Sequence, residues 1–249
     1  MFAALAKAFA QISDPAFRRV FLVSLATSLV VFALLWALAW WSLAWVGEGL
    51  LAWATGEGAG GIWARAIEWA FGAASVLAVL VTSFFLFPAV MVSVMSLFLE
   101  EIAAAVERRH YPGLVPPRGQ PLHEALRGAL VFAGISIALN LLFAPLYLLL
   151  MFVPPFNLFV FYLLNGYLFG LEYFELVAAR RLAPEEMKRL HRAHRGRVLS
   201  AGVVIAFLLT LPLVNLAMPL VATGFMVHVF EGVRRRAGAP GAVPGQETR

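Results

Sequence analysis

The stretch SDPAFRR, residues 13–19, gathers the groups from which a helix start binds an anion. Ser13 or Asp14 suits the cap position and Pro15 the first helical position. The amides of Ala16 and Phe17 then fall among the donors that a first turn leaves unpaired, and Arg18 and Arg19 add charge beside them. That is chemistry for holding a phosphate, sulfate or carboxylate. The amino end of a helix is its positive pole, so two cations belong there only with a negative partner. Two partners fit: a bound anion, or Asp14 as counterion to arginines that anchor the helix against lipid headgroups.

Other polar groups are few. Glu100, Glu101 and Glu107 stand beside Arg108 and Arg109, either lining a vestibule or pairing along a solvated helix end. Glu172 and Glu175 precede Arg180 and Arg181, which reads as a structural ion pair. PEEMKRLHRAHRGR, residues 184–197, runs from acids to bases as a helix prefers, and reads as a basic surface helix binding anionic headgroups rather than nucleic acid. His228 falls in the last apolar arm, where an ionisable group is a functional suspect, yet its nearness to the tail lets it reach the interface. The chain has no cysteine, which excludes disulfides and thiolate chemistry, and its 5 histidines lack metal-ligand spacing. Walker A, GxSxG and GxGxxG patterns are absent, so neither an enzyme nor a cofactor is expected.

The elements that must position these groups belong to a membrane. Of 249 residues 62% are hydrophobic and 13% charged, against roughly 25% charged in an ordinary soluble domain. The start lacks the pattern of a cleavable signal, because Lys7 interrupts it; instead Phe2, Leu5, Phe9 and Ile12 share one face, predicting an interfacial helix over residues 1–13. Residues 14–46 form a first span, whose charge-free part from Val20 to Val46 would measure about 40 Å as helix. Residues 69–101 form the second, with Pro88 inside it. The tryptophans Trp36, Trp40, Trp41, Trp45, Trp53, Trp63 and Trp69 gather at the facing ends of these spans, as an aromatic belt does.

Two further apolar runs are broken by proline. Residues 128–171 stop at Pro154 and Pro155, with arms that either span as a pair or dip in as a hairpin. Residues 198–230 stop at Pro212 and Pro219, with arms of about 21 and 17 Å, too short to cross. Both apices carry Pro-x-x-Asn-Leu, and Asn157 and Asn215 are placed to cap the returning helix. Irregular backbone at membrane depth needs protein or water around it, which points to a pore or an oligomer interface. Lysine and arginine concentrate before the first run, after the second and third, and in the 234–249 tail, which is expected to be disordered. The positive-inside rule then puts both termini in the cytoplasm. The expected fold is an all-α integral membrane protein with two long transmembrane helices, two proline-broken, partly penetrating hairpins and a basic cytoplasmic helix.

DPAFRR, FLEEIAAAVERRHYPG and the long stretch LNGYLFGLEYFELVAARR with HRGRVLSAGVVIAFLLTLPLVNLAMPLVATGFMVHVF together resemble the CysZ-type sulfate permease family over nearly the whole chain. The resemblance implies an oligomeric bacterial inner-membrane permease that carries sulfate inward for cysteine synthesis, with true spans and partly penetrating hairpins. It implies a sulfate site at a Gly-Leu-Arg-type motif opening the first long helix, matched here by Ala16, Phe17 and Arg18, with Arg19 following. Alanine stands where that motif has glycine, keeping the amide but narrowing the space beside it. A Glu and Arg network near the pore would fall on Glu101, Glu107 and Arg108. The alternative class is a non-transporting membrane scaffold whose arginines bind lipid phosphate.

Overall fold

The computed structural model describes residues 1–55 and 61–238, and every regular element among them is helical. The helices are α1 (Phe2–Ala10), α2 (Pro15–Thr55), α3 (Ile62–Ser96), α4 (Leu99–His110), α5 (Leu122–Leu150), α6 (Pro154–Ala178), α7 (Pro184–Ala193), α8 (Arg195–Leu209), α9 (Pro212–Asn215) and α10 (Met218–Arg236). Two compact units result, one of Met1–Val20 with Phe98 onward and one of Phe21–Leu97.

In the second unit α2 and α3 run antiparallel. Trp36 Nε1 donates to Ser83 Oγ at 2.6 Å, and the rings of Phe32 and Phe87 meet edge to face at 5.5 Å, so advancing along one helix means retreating along the other. Leu29, Val30, Leu34, Leu38, Leu77 and Leu80 are left exposed. Such a surface demands lipid, not water. Pro88 lies inside α3 without ending it. Trp36, Trp40, Trp41 and Trp69 are exposed along these helices, whereas the side chains of Trp45, Trp53 and Trp63 lie outside the described residues.

In the first unit α10 is the core. Its sequence from Met218 to Val229 is apolar on all sides, and a helix of that kind must be wrapped by others. Residues Met218–Glu231 are buried throughout, between α1, α4, α6 and α8. Helices α6 and α8 approach until their backbones touch. A Cβ on Gly202 would strike the Gly166 carbonyl and lie 2.7 Å from the Gly170 Cα, and one on Gly170 would lie 2.7 Å from the Val198 carbonyl. Glycine is required there for space. Helix α1 and the 3-10 turn after it bury Ala8 and Gln11 and leave Phe2, Phe9 and Ile12 exposed.

Among the described residues three helices are long and apolar enough to cross a membrane: Pro15–Ser42, Trp69–Ser96 and Leu122–Leu150. The third extends the expected pair. With 29 residues, α5 measures about 44 Å at 1.5 Å per residue, so one arm of the 128–171 run has a spanning length. Both chain breaks fall at the expected prolines, Pro154 opening α6 and Pro212 opening α9. The expected asparagine caps are not formed. Asn157 lies inside α6 and Asn215 ends α9, and neither α6 nor α10 has a side-chain cap; proline in the first turn removes a donor that a cap would otherwise satisfy. The basic surface helix ends at Ala193, with α8 beginning at Arg195. Helix α10 continues to Arg236, so the first three residues of the expected tail are helical, with Arg234 buried, and residues 239–249 lie outside the described residues.

Candidate functional site at the start of α2

A 3-10 turn over Gln11–Ser13 delivers Asp14 in an extended conformation, and Asp14 caps α2. Its Oδ1 accepts the Ala16 amide at 3.0 Å, and its carbonyl accepts the Arg18 amide at 3.0 Å. Its Oδ2 accepts from Arg109 Nη1 of α4, also at 3.0 Å. Burial alone would raise the Asp14 pKa, but the Ala16 amide and the Arg109 guanidinium outweigh it and hold the carboxyl below its ordinary 3.8. The Asp14 charge is therefore directed to α4. One of the two amides expected to be open, that of Ala16, is already satisfied, while the Phe17 amide has no acceptor among the described residues.

Phe17 anchors the site. Its side chain is buried, and a Cβ added at Gly224 of α10 would lie 3.4 Å from the Phe17 ring and 3.5 Å from Val106 of α4. The first turn of α2 is thus held from two sides. Arg18 and Arg19 are exposed, and among the described residues their guanidinium groups form no ion pair. Asp14 does not serve as their counterion, because Arg109 holds it.

The glutamates separate into different environments. Glu101 and Arg108 are exposed and do not join Glu107. Glu107 is buried and accepts from Arg181 at 2.6 and 3.1 Å and from Arg180 at 3.3 Å, both arginines coming from the end of α6. Glu172 and Glu175, the expected partners of those arginines, are not their partners: the turn after Ala178 aims both guanidinium groups across to α4 instead. Glu231 extends the network, lying 3.9 Å from Arg181 and accepting from Arg234 at 2.9 Å. Burial pushes the Glu231 pKa up, against Arg234 and Arg181. Glu231 and Arg234 were missed in the sequence, although their i, i+3 spacing at the close of an apolar run was a visible signal.

His228 does not reach outward to an interface. Its side chain is buried, Nδ1 lies 2.8 Å from the Tyr111 hydroxyl, and its ring stands edge to face with His110 at 4.8 Å. Burial pushes its pKa down to about 3, with His110, Lys7 and Arg235 adding repulsion, and burial pushes Tyr111 up to about 12.

Among the described residues every regular element is helical and three helices have a spanning length, which makes this a multi-pass membrane protein. The family model described as Sulfate transporter CysZ/Etoposide-induced protein 2.4 matches residues 4–219, and the chain belongs to that family. No curated protein matches the chain.

Proposed function

We propose that the protein is a sulfate permease of the bacterial inner membrane, supplying sulfate for cysteine synthesis by passive or ion-coupled uptake. The anion is held at the start of α2 by the Phe17 amide and the Arg18 and Arg19 guanidinium groups, with Ala16 setting the space beside it. The observation that carries this is the commitment of Asp14 to Arg109, which leaves Arg18 and Arg19 exposed and, among the described residues, without a counterion. Charged donors converging on one oxyanion bind more strongly than neutral ones.

Charge asymmetry puts both termini in the cytoplasm, so this site is on the release side, as an exit or regulatory site. The proline-broken pair α8 and α10 enters the bilayer only partway, and Glu101, Glu107 and Arg108 belong to the cytoplasmic vestibule. The protein works as a homo-oligomer, because broken helices at membrane depth need protein or water around them. The outward apolar face of α1 favours a second reading, in which the same arginines hold lipid phosphate and the protein is a scaffold.

The test is labelled-sulfate uptake into proteoliposomes, with wild type beside an Arg18→Ala, Arg19→Ala variant and protein-free vesicles as the blank. Uptake above blank that the variant loses is the expected result. Wild-type uptake equal to blank, from protein shown to be folded and inserted, would refute the permease and favour the scaffold.

A further inference from the structure

A second basic surface lies elsewhere in the same unit. A cleft of about 370 Å³ opens between α1, α8 and α10, lined by Ala4, Arg197, His228, Gly232, Arg235 and Arg236 among others. That volume falls in the range of small-molecule sites. Arg197 is half-buried and Arg236 exposed, and among the described residues neither guanidinium forms an ion pair or hydrogen bond. Arg235 is held in place by the Glu231 carbonyl at 3.4 Å and lies over the Tyr111 ring at 5.5 Å. Among the described residues no carboxylate lines the cleft.

His228 backs this wall. The ring is only 6% exposed, and its Nε2 has no hydrogen-bond partner among the described residues. Burial, with the Lys7 and Arg235 charges adding to it, keeps the imidazole neutral. A neutral imidazole has one donor and one acceptor. Nδ1 is paired with the Tyr111 hydroxyl at 2.8 Å, which fixes the ring against α4 and its following turn. The cleft wall is therefore dominated by the positive charge of Arg197, Arg235 and Arg236.

We propose that this cleft binds a tetrahedral oxyanion of the phosphate or sulfate class, either a free ion or the phosphate of a lipid headgroup, through Arg197 and Arg236. The site is separate from the start of α2 and stands whether or not that site transports sulfate. His228, Arg235 and Arg236 also lie beyond residue 219, where the family match ends.

The test uses the full chain carrying Arg18→Ala and Arg19→Ala, so that the α2 site cannot contribute. Calorimetric titration with sodium sulfate and sodium phosphate in detergent probes the free ion. Native mass spectrometry from phosphatidylcholine nanodiscs with and without phosphatidic acid probes the headgroup. At least one probe should bind, and adding Arg197→Gln with Arg236→Gln should weaken it at least tenfold, while Arg197→Lys with Arg236→Lys should weaken it less. Ala4→Phe fills the cleft without removing charge and should also abolish binding. Binding of the inorganic ions identifies the free source, and retention of phosphatidic acid alone identifies the headgroup. Absence of binding by either probe, or equal binding after the glutamine substitutions, would overturn the proposal.

Discussion

Glu107→Ala removes the acid at the centre of the buried network of α4, α6 and α10. The carboxylate is 7% exposed and accepts from Arg181 at 2.6 and 3.1 Å and from Arg180 at 3.3 Å. The side chains of Arg181 and Arg180 are themselves 7% and 10% exposed, so neither reaches water without repacking. Breaking a buried pair from one side costs about 3–5 kcal/mol, because the remaining charge is left uncompensated. Some compensation survives here. Arg181 keeps the Val115 carbonyl at 2.7 Å and Glu231 at 3.9 Å, and Arg180 keeps the exposed Glu100 at 3.9 Å. The expected loss is accordingly at the lower end, about 3 kcal/mol. Reversible unfolding in mixed micelles of dodecyl sulfate, followed by circular dichroism, measures it. A cycle with Arg181→Ala should give a coupling of more than about 1 kcal/mol, since contacting charges in one network are not additive. A loss from Glu107→Ala below about 0.5 kcal/mol would show that the network behaves as a hydrated surface pair and would refute the reasoning.

Gly202→Ala places a Cβ against the Gly166 carbonyl and near the Gly170 backbone, where no side chain can give way. A cost of about 1–3 kcal/mol is expected, read as a lower melting temperature in detergent, and a wild-type melting curve would contradict the contact. Asp14→Ala removes the cap of α2 and should cost about 1 kcal/mol. Because the Asp14 pKa is depressed in the fold, its contribution is present above 3.8 and is lost as pH falls below that value, a dependence that Asp14→Asn should remove from an acid titration of stability. His228 has a folded pKa near 3 against an ordinary 6.5, so the neutral ring contributes stability above 6.5 that is lost as pH falls toward 3. The slope should approach about 1.4 kcal/mol per pH unit at most, and a His228→Gln variant with an unchanged pH profile would contradict that assignment.

Much of the fold was legible because membrane helices obey local rules. The uncharged lengths of α2 and α3, the breaks at Pro154 and Pro212 and the outward apolar face of α1 all follow from composition and spacing along one segment. What was not legible depends on which segments meet. The all-round apolar sequence of α10 was readable, but its place as the core of a unit requires α1, α4, α6 and α8 around it. The glycines at 166, 170 and 202 looked ordinary until the helices carrying them came together. The asparagine caps failed for a local reason, since proline already occupies the opening turn of each returning helix.

The charges show why the site itself was only half readable. Neighbours in sequence invite pairing, yet Asp14 bonds Arg109, and Glu107 bonds Arg180 and Arg181, each pair joining distant segments. Arg18, four residues after Asp14, stands at the spacing that would let it pair with the cap acid. It does not, because α4 offers Asp14 the Arg109 guanidinium at 3.0 Å. The structural acid is therefore consumed in docking the helix, and among the described residues the two arginines beside it have no acidic partner. A positive helix terminus with two uncompensated cations is electrostatically unfavourable on its own. The proposed function offsets that cost with a bound dianion, at a first turn left positive by the same contacts that hold α2 in place.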